Sequence, residues 1–288
     1  MNLSFVTTAL AAFLILLGPV SCTKNNQDPG DSINLDKVNL NDHLVAHWLY
    51  NETETIAKDN SENKFNGKIF GSPEKYRGFT TAYNFDGKND FIAVPDTNNA
   101  PPQQISSLTK GSISIWFKVD SIPVVDGIMP VFYYGSSDNC LNMFDASNQG
   151  LIIEVGHSPV HLGSKRLYFT LFMNGCTLPS LCFDTDFFLD ENSWYHFVAV
   201  VGDNYNTGYL NGKELTGRHY NFGNDSTSEF FSDATAHEAL YLGKGYWDTR
   251  TVFFKGQIDD VRIYNKDINR DEVKYLFSKR SAGTKYVE

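Results

Sequence analysis

Cysteine is scarce in this chain, with 4 in 288 residues, so a disulfide-dense scaffold is excluded. No histidine or further cysteine stands at zinc-finger spacing around them. Positive charge is also thin: 24 Lys and Arg face 34 Asp and Glu, a net charge of −10. All charged residues lie after Ser21, and no basic stripe runs through them. That argues against nucleic acid as a partner, because a phosphate backbone is gripped by clustered Lys and Arg. No apolar run reaches the roughly 18 to 20 residues that cross a bilayer. Helix signals are nearly missing, and no Pro/Gly/Ser-rich seam divides the chain after residue 44. One large domain is therefore expected.

What is present begins with an uncharged N-terminus. Phe5 to Val20 are mostly apolar, too short to span a membrane but suited to a secretory signal. The small residues of "GPVSC" (Gly18 to Cys22) resemble the lipobox of bacterial lipoproteins, in which the cysteine is acylated and becomes the mature N-terminus. Residues 1–21 are expected to be a lipoprotein signal peptide and Cys22 the lipidation site. A plain signal peptide is the alternative, and both export the chain. Residues 22–43 are polar, with Pro29-Gly30 in their middle, and cannot bury enough apolar surface to fold. They read as a tether. The expected location is the bacterial cell envelope, on the outer membrane and facing outward, with the lipid as the only membrane contact.

Residues 44–282 carry strong strand signals. In "GSISIWFKVD", Ile113, Ile115, Phe117 and Val119 alternate with Ser112, Ser114, Trp116 and Lys118, the pattern of a half-buried strand. "WYHFVAVVGD" (Trp194 to Asp203) is apolar on both faces, as a covered central strand is. "LVAHWLY", "LIIEVG", "RLYFTLFM" and "EALYLG" are further runs of strand length. Asn211-Gly212 between two such runs predicts a type I′ hairpin. One helix is predicted near the C-terminus, where Asn269 and Glu272 form a capping box ahead of Val273, Leu276 and Phe277. Many strands and one terminal helix imply an all-β sandwich.

Five stretches in order resemble the laminin-G-like branch of the concanavalin A-like lectin/glucanase superfamily. They are Leu44 to Ile69, "NFDGKNDFIAVPD" (Asn84 to Asp96), "SISIWFKVDS", "NSWYHFVAVVGDNYNTGYLNGKEL" (Asn192 to Leu215) and "FKGQIDDVRIYNKDINRDEVKYLF" (Phe254 to Phe277). The resemblance implies a jelly roll of two antiparallel sheets. Its relatives include glycan-binding modules, glycoside hydrolases and lyases, so function must be argued from residues. Hydrolases of this fold carry Glu-x-Asp-x-x-Glu on one strand, and that pattern is missing here. The acids of "CFDTDFFLDE" (Cys182 to Glu191) have the wrong spacing. A lyase needs a Tyr/His set on one face, whereas adjacent Tyr195 and His196 point to opposite faces. The expected function is a non-catalytic, surface-anchored protein that binds a polysaccharide or glycoconjugate. The alternatives are a glycan-degrading enzyme of this fold, or a structural lipoprotein that engages other surface proteins.

Candidate sites follow from residue type. Tyr246, Trp247, Asp248 and Arg250 of "GKGYWDTRT", with Tyr134 and Asn139 of "FYYGSSDNC", offer ring faces and polar groups for sugars. Packing between loops is the alternative for these aromatics. The Leu-Pro-Ser turn of "CTLPSLC" brings Cys176 and Cys182 together, and a disulfide is expected there, leaving Cys140 a thiol. In "GQIDDVRIY", Asp259 is expected to share a face with core Val261 and Ile263, and Asp260 to face the other way. The family resemblance implies a cation near the first acid, so Asp259 and Asp59 are expected to hold a structural Ca²⁺ with loop carbonyls. The alternative is that Asp259 accepts backbone N–H bonds from the "KDNSENKFNG" loop.

Overall fold

The computed structural model describes residues 38–49, 56–71, 74–77, 81–95, 100–123, 127–137, 150–158, 163–173, 178–185, 187–234, 236–247 and 250–281. The signal segment, Cys22, Asn139, Cys140, Cys176 and Asp248 lie outside them. Strands β1 (Leu44–Trp48), β2 (Ile56–Ala57), β3 (Gly67–Phe70), β4 (Glu74–Arg77), β5 (Thr81–Asp86) and β6 (Phe91–Val94) come first. A single helical turn, α1 (Gln103–Ser106), leads to β7 (Gly111–Val119), β8 (Gly127–Gly135), β9 (Leu151–Ser158), β10 (Gly163–Leu171) and β11 (Leu181–Asp184). Next are β12 (Trp194–Gly202), β13 (Tyr205–Leu210), β14 (Lys213–Glu214), β15 (His219–Phe222), β16 (Ala239–Leu242), β17 (Lys244–Trp247), β18 (Arg250–Phe253) and β19 (Lys255–Tyr264). Helix α2 (Arg270–Ser281) closes the chain's described part.

The strands form an all-β jelly-roll sandwich, as the sequence predicts. One sheet runs β14-β13-β12-β7-β19-β5-β4, with β1 beside β5 on the same edge of β19. The other runs β15-β11-β10-β9-β8-β16-β6-β3-β2. A separate two-stranded ribbon, β17-β18, joins their neighbourhood through β8. Every recorded pairing is antiparallel, so side chains alternate between the core and an outer face along each strand.

The core lies between the sheets. Ile113, Ile115, Phe117 and Val119 of β7 meet Ile153 and Val155 of β9 and Leu167 and Phe169 of β10 within one apolar cluster. The alternation of β7 is real, but both its faces are buried, because α2 covers the side that alternation alone leaves to water. Trp116 stacks on Phe277 of α2 at 5.5 Å and on His196 at 4.8 Å. Val198, Val200, Ile268, Val273 and Leu276 seal the same layer. The helix starts as its sequence dictates. Asn269 Oδ1 accepts the Glu272 N–H at 3.0 Å, and Glu272 Oε2 accepts the Asn269 N–H at 2.8 Å. Asn211 and Gly212 have φ of 51° and 77°, the left-handed pair a type I′ turn requires.

Candidate functional site

With one sheet face covered by α2, the outer face of the nine-stranded sheet is where polar side chains collect. Register places Pro130, Glu154, Tyr168, Asp184 and His219 side by side on β8, β9, β10, β11 and β15. Their chain neighbours Ile153, Phe169 and Phe183 belong to the core, so this row points outward. Asp184 is fully buried yet held on several sides. Its Oδ1 accepts from Arg166 Nη1 at 2.7 Å, and its Oδ2 meets Asn221 Nδ2 at 2.9 Å and His219 Nδ1 at 3.3 Å. A buried carboxylate is tolerated when it is paired in this way.

Glu154 is different. It is 3% exposed, and its Oε2 has no hydrogen-bond partner. Burial alone pushes its carboxyl up to about 8, so the group is mostly protonated at neutral pH. The Nε of Arg166, one position diagonal to it, is likewise without a partner. Cys182 sits in the next row, where its sulfur accepts from Thr170 Oγ1 at 3.3 Å, and burial pushes its thiol up to about 12. The disulfide expected between Cys182 and Cys176 involves a residue outside those described; Cys182 itself lies against Thr170 and Asn221. At the rim, Phe188 is 61% exposed with its ring 5.7 Å from the Arg166 guanidinium, and Phe187 beside it is also exposed.

The aromatics singled out in the sequence do a different job. Tyr134 is fully buried in the core, packed edge-on against Phe231 at 4.8 Å with its hydroxyl 2.7 Å from His237 Nδ1. It is therefore not open to a ligand, because its strand position faces the opposite sheet. Tyr246 is 3% exposed. It packs on Tyr133 and Tyr241, and its hydroxyl donates to the Ser137 carbonyl at 2.6 Å. Lys244 lies 4.6, 4.4 and 5.3 Å from the ring centres of Phe91, Tyr241 and Tyr246, which fastens the ribbon to the sheet. Trp247 pairs through its backbone with Arg250, which is exposed.

The paired acids of β19 also answer to local geometry. Asp259 pairs with Trp116 and Arg262 with Ser114, so one extra residue is inserted between them. Asp260 is the bulged residue, at φ 48°. The insertion resets the phase: Val261 and Ile263 face the core, while Asp259 lies on the Trp116 side and does not share their face. The bulge falls where β19 changes partner from β5 to β1. Asp260 there binds His47 Nε2 at 2.7 Å and Arg262 Nε at 2.8 Å. Burial acts to raise its carboxyl, but the Arg262 guanidinium and His47 outweigh that and hold it well below the usual range.

Asp59, not Asp259, is the acid that takes the loop's backbone bonds. Its Oδ1 accepts the N–H groups of His47 and Ser61, each at 2.8 Å. Its Oδ2 accepts Ser61 Oγ and the Phe65 N–H, each at 2.7 Å. Four donors occupy the four lone-pair positions of this carboxylate, which leaves none for a cation. Asp259 Oδ1 accepts the Asp260 N–H at 2.8 Å. The residues present do not fit the expected Ca²⁺ site, and among the described residues no three His, Cys, Asp or Glu side chains gather as metal ligands.

Residues 86–274 match the pattern of a laminin-G-type family of the concanavalin A-like lectin/glucanases superfamily, more than half of the chain. The chain belongs to this family. No curated protein matches it closely enough to count. Among solved structures, this laminin-G-type chain is similar to the binding domain of Paraclostridial Mosquitocidal Protein 1, at 17% identity and a TM-score of 0.59 over 84% of this chain and 53% of that one. It is similar to domain 4 of AbnA, an extracellular arabinanase from Geobacillus stearothermophilus solved with arabinotriose, at 19% and 0.54 over 81% and 98%. Trypanosoma rangeli sialidase matches at 15% and 0.54 over 84% and 34%. The chain thus spans about half of the toxin chain and a third of the sialidase. At these identities the likeness establishes the fold.

Glu154, Arg166 and Tyr168 did not stand out in the sequence as a site, and Asp184 was passed over for its spacing. One signal was available: Glu154 is the only charged residue in "LIIEVG", a run otherwise fit for a buried strand. A lone acid in such a run calls for a partner or a purpose.

Proposed function

We propose that this is a non-catalytic glycan-binding module, held at the bacterial cell surface through an acylated Cys22. The observation that carries it is the outer face of the nine-stranded sheet. There Asp184 gathers Arg166, Asn221 and His219 beside the exposed ring of Phe188. Fixed polar groups next to an exposed aromatic ring suit a sugar, which presents hydroxyls at its edge and C–H groups on its face. Neighbours described as a toxin binding domain and as an arabinanase domain in complex with arabinotriose support the same reading. A lipid on Cys22 would supply the anchor in this reading; among the described residues no helix is long and apolar enough to cross a membrane.

The test is a glycan array and polysaccharide retention with the domain from Leu40 onward. Binding without release of reducing sugar is expected, and Phe188→Ala should weaken it about tenfold with the melting temperature unchanged. Glu154 and Asp184 stand two strands apart on one face, one carboxyl protonated and one paired, the division of roles a glycosidase uses. Release of reducing sugar would therefore replace this reading with hydrolysis.

A further inference from the structure

We propose that Glu154 and Arg166 form the floor of a subsite for an uncharged sugar, each binding one of two neighbouring hydroxyls. This rests on the glycan-binding reading above and names the class of glycan. Two atoms with unmet hydrogen bonds lie on the same outer face, on adjacent strands: Glu154 Oε2 on β9 and Arg166 Nε on β10. Glu154 is opposite Tyr168 and Arg166 opposite Gly156, so the two are diagonal neighbours with backbones about 7 to 8 Å apart. That gap is spanned by two side chains and a pair of adjacent hydroxyls.

Buried polar atoms without partners are rare in native proteins, and leaving one costs about 1 to 3 kcal/mol. Two together on the outer side of one sheet, beneath the surface and with Phe188 over the Arg166 guanidinium, are accounted for by a ligand that supplies the missing bonds. The guanidinium is already fixed by its Nη1 bond to Asp184, so its Nε–H is a donor with a set direction.

Charge selects the ligand class. On the same face as Glu154 are Arg166 and Tyr168 on adjacent β10, Cys182 and Asp184 one strand further on β11, and His219 three strands away on β15, while β8 on the other side presents Pro130. On the ribbon, Lys244 is engaged with three rings. Arg166 and Asp184 neutralise each other as a direct ion pair. A carboxylate on the ligand would add an unmatched negative charge beside Asp184, in a chain whose net charge is already −10. An ammonium group would meet the Arg166 cation. Burying either charge unpaired is expensive, whereas a neutral hydroxyl can donate to and accept from a carboxyl.

The experiment measures binding of the wild-type domain to neutral gluco-, manno-, galacto-, xylo- and arabino-oligosaccharides, with oligogalacturonate and chitosan oligomers of equal length as charged arms. At least one neutral series should bind more tightly than both charged ones. Glu154→Leu should lose at least tenfold in affinity while its melting temperature does not fall, which separates the loss from unfolding. Glu154→Gln keeps one donor and one acceptor and should recover most of what leucine loses. Equal or tighter binding of a charged series would overturn the assignment of class and leave glycan binding intact. Wild-type affinity in Glu154→Leu would overturn the subsite. Absence of binding to every glycan would remove the underlying reading and this proposal with it.

Discussion

Replacing Glu154 by glutamine should make the protein more stable, by an amount that grows with pH. In the folded protein the carboxyl keeps its proton up to about 8, because burial disfavours the charged form and no partner offsets it. In the unfolded chain the same group ionises near its ordinary value of 4.5. Between those two values unfolding releases a proton, so raising the pH favours the unfolded state. Each pH unit in that window removes up to about 1.4 kcal/mol, and the accumulated loss at pH 7 is about 3 kcal/mol. Glutamine has the same shape and polarity but cannot ionise. Whatever it costs to bury an amide there is constant with pH and drops out of the slope. A domain of this size shifts by roughly 2 to 4 °C per kcal/mol. The melting temperature of Glu154→Gln relative to wild type should therefore climb by about 6 to 12 °C between pH 4.5 and 7. It should continue to rise to pH 8 and then level off. Thermal melts of both proteins by circular dichroism, in matched buffers from pH 4.5 to 9, provide the comparison. A difference that stays flat across that range, or that moves in favour of wild type as pH rises, would refute the argument that Glu154 is buried as a neutral acid.

Asp59→Ala should lower stability by about 3 to 4 kcal/mol, since three backbone N–H groups and a hydroxyl lose their acceptor. EDTA should leave the wild-type melting curve unchanged; a chelator-induced drop that disappears in the Asp59 variant would restore a metal at this position. Asp260→Asn should destabilise at neutral pH by about 3 kcal/mol, because Arg262 and His47 lose their anion. That deficit should shrink below about pH 4 in acid melts: a depressed carboxyl stabilises above its unfolded value and loses that contribution as pH falls toward its folded one. Mass spectrometry of the mature protein should find a lipid on Cys22 and no residues 1–21; an unmodified Cys22 would refute the anchor.

The parts of the fold that were legible in the sequence are those fixed by short-range periodicity. Strand β7 could be read because four apolar side chains alternate without interruption, and α2 could be read because its cap and its apolar stripe agree. The phase of β19 could not be read. Nothing in "GQIDDVRIY" is a glycine at the bulge, yet Asp260 takes a positive φ and every later side chain changes sides. What permits this is long-range: His47, from more than two hundred positions earlier, binds the bulged carboxylate. The candidate site was hidden for the same reason. Glu154, Tyr168 and Asp184 come from three strands whose register is set by the turns and pairings between them. The rich aromatic loops drew attention instead, although Tyr134 and Tyr246 serve packing.

Four of the buried acids divide into two kinds, and the division bears on function. Asp59, Asp184 and Asp260 are each surrounded by donors or cations, and each ties together segments distant in sequence: a loop to β1, three strands of one sheet, and β19 to β1. Removing any of them leaves unsatisfied donors or an unpaired charge, so a folding role is enough to explain them. Glu154 ties nothing together and its presence lowers stability at neutral pH, which a folding role does not explain. A sequence under selection for the fold alone would place an apolar residue there, as it does at Ile152 one row away. Groups that reduce stability persist where they serve something else, and strongly perturbed acids are concentrated at binding and catalytic sites. If Glu154→Leu is more stable and binds glycan as well as wild type, that inference fails, and the acid on β9 has no role in binding.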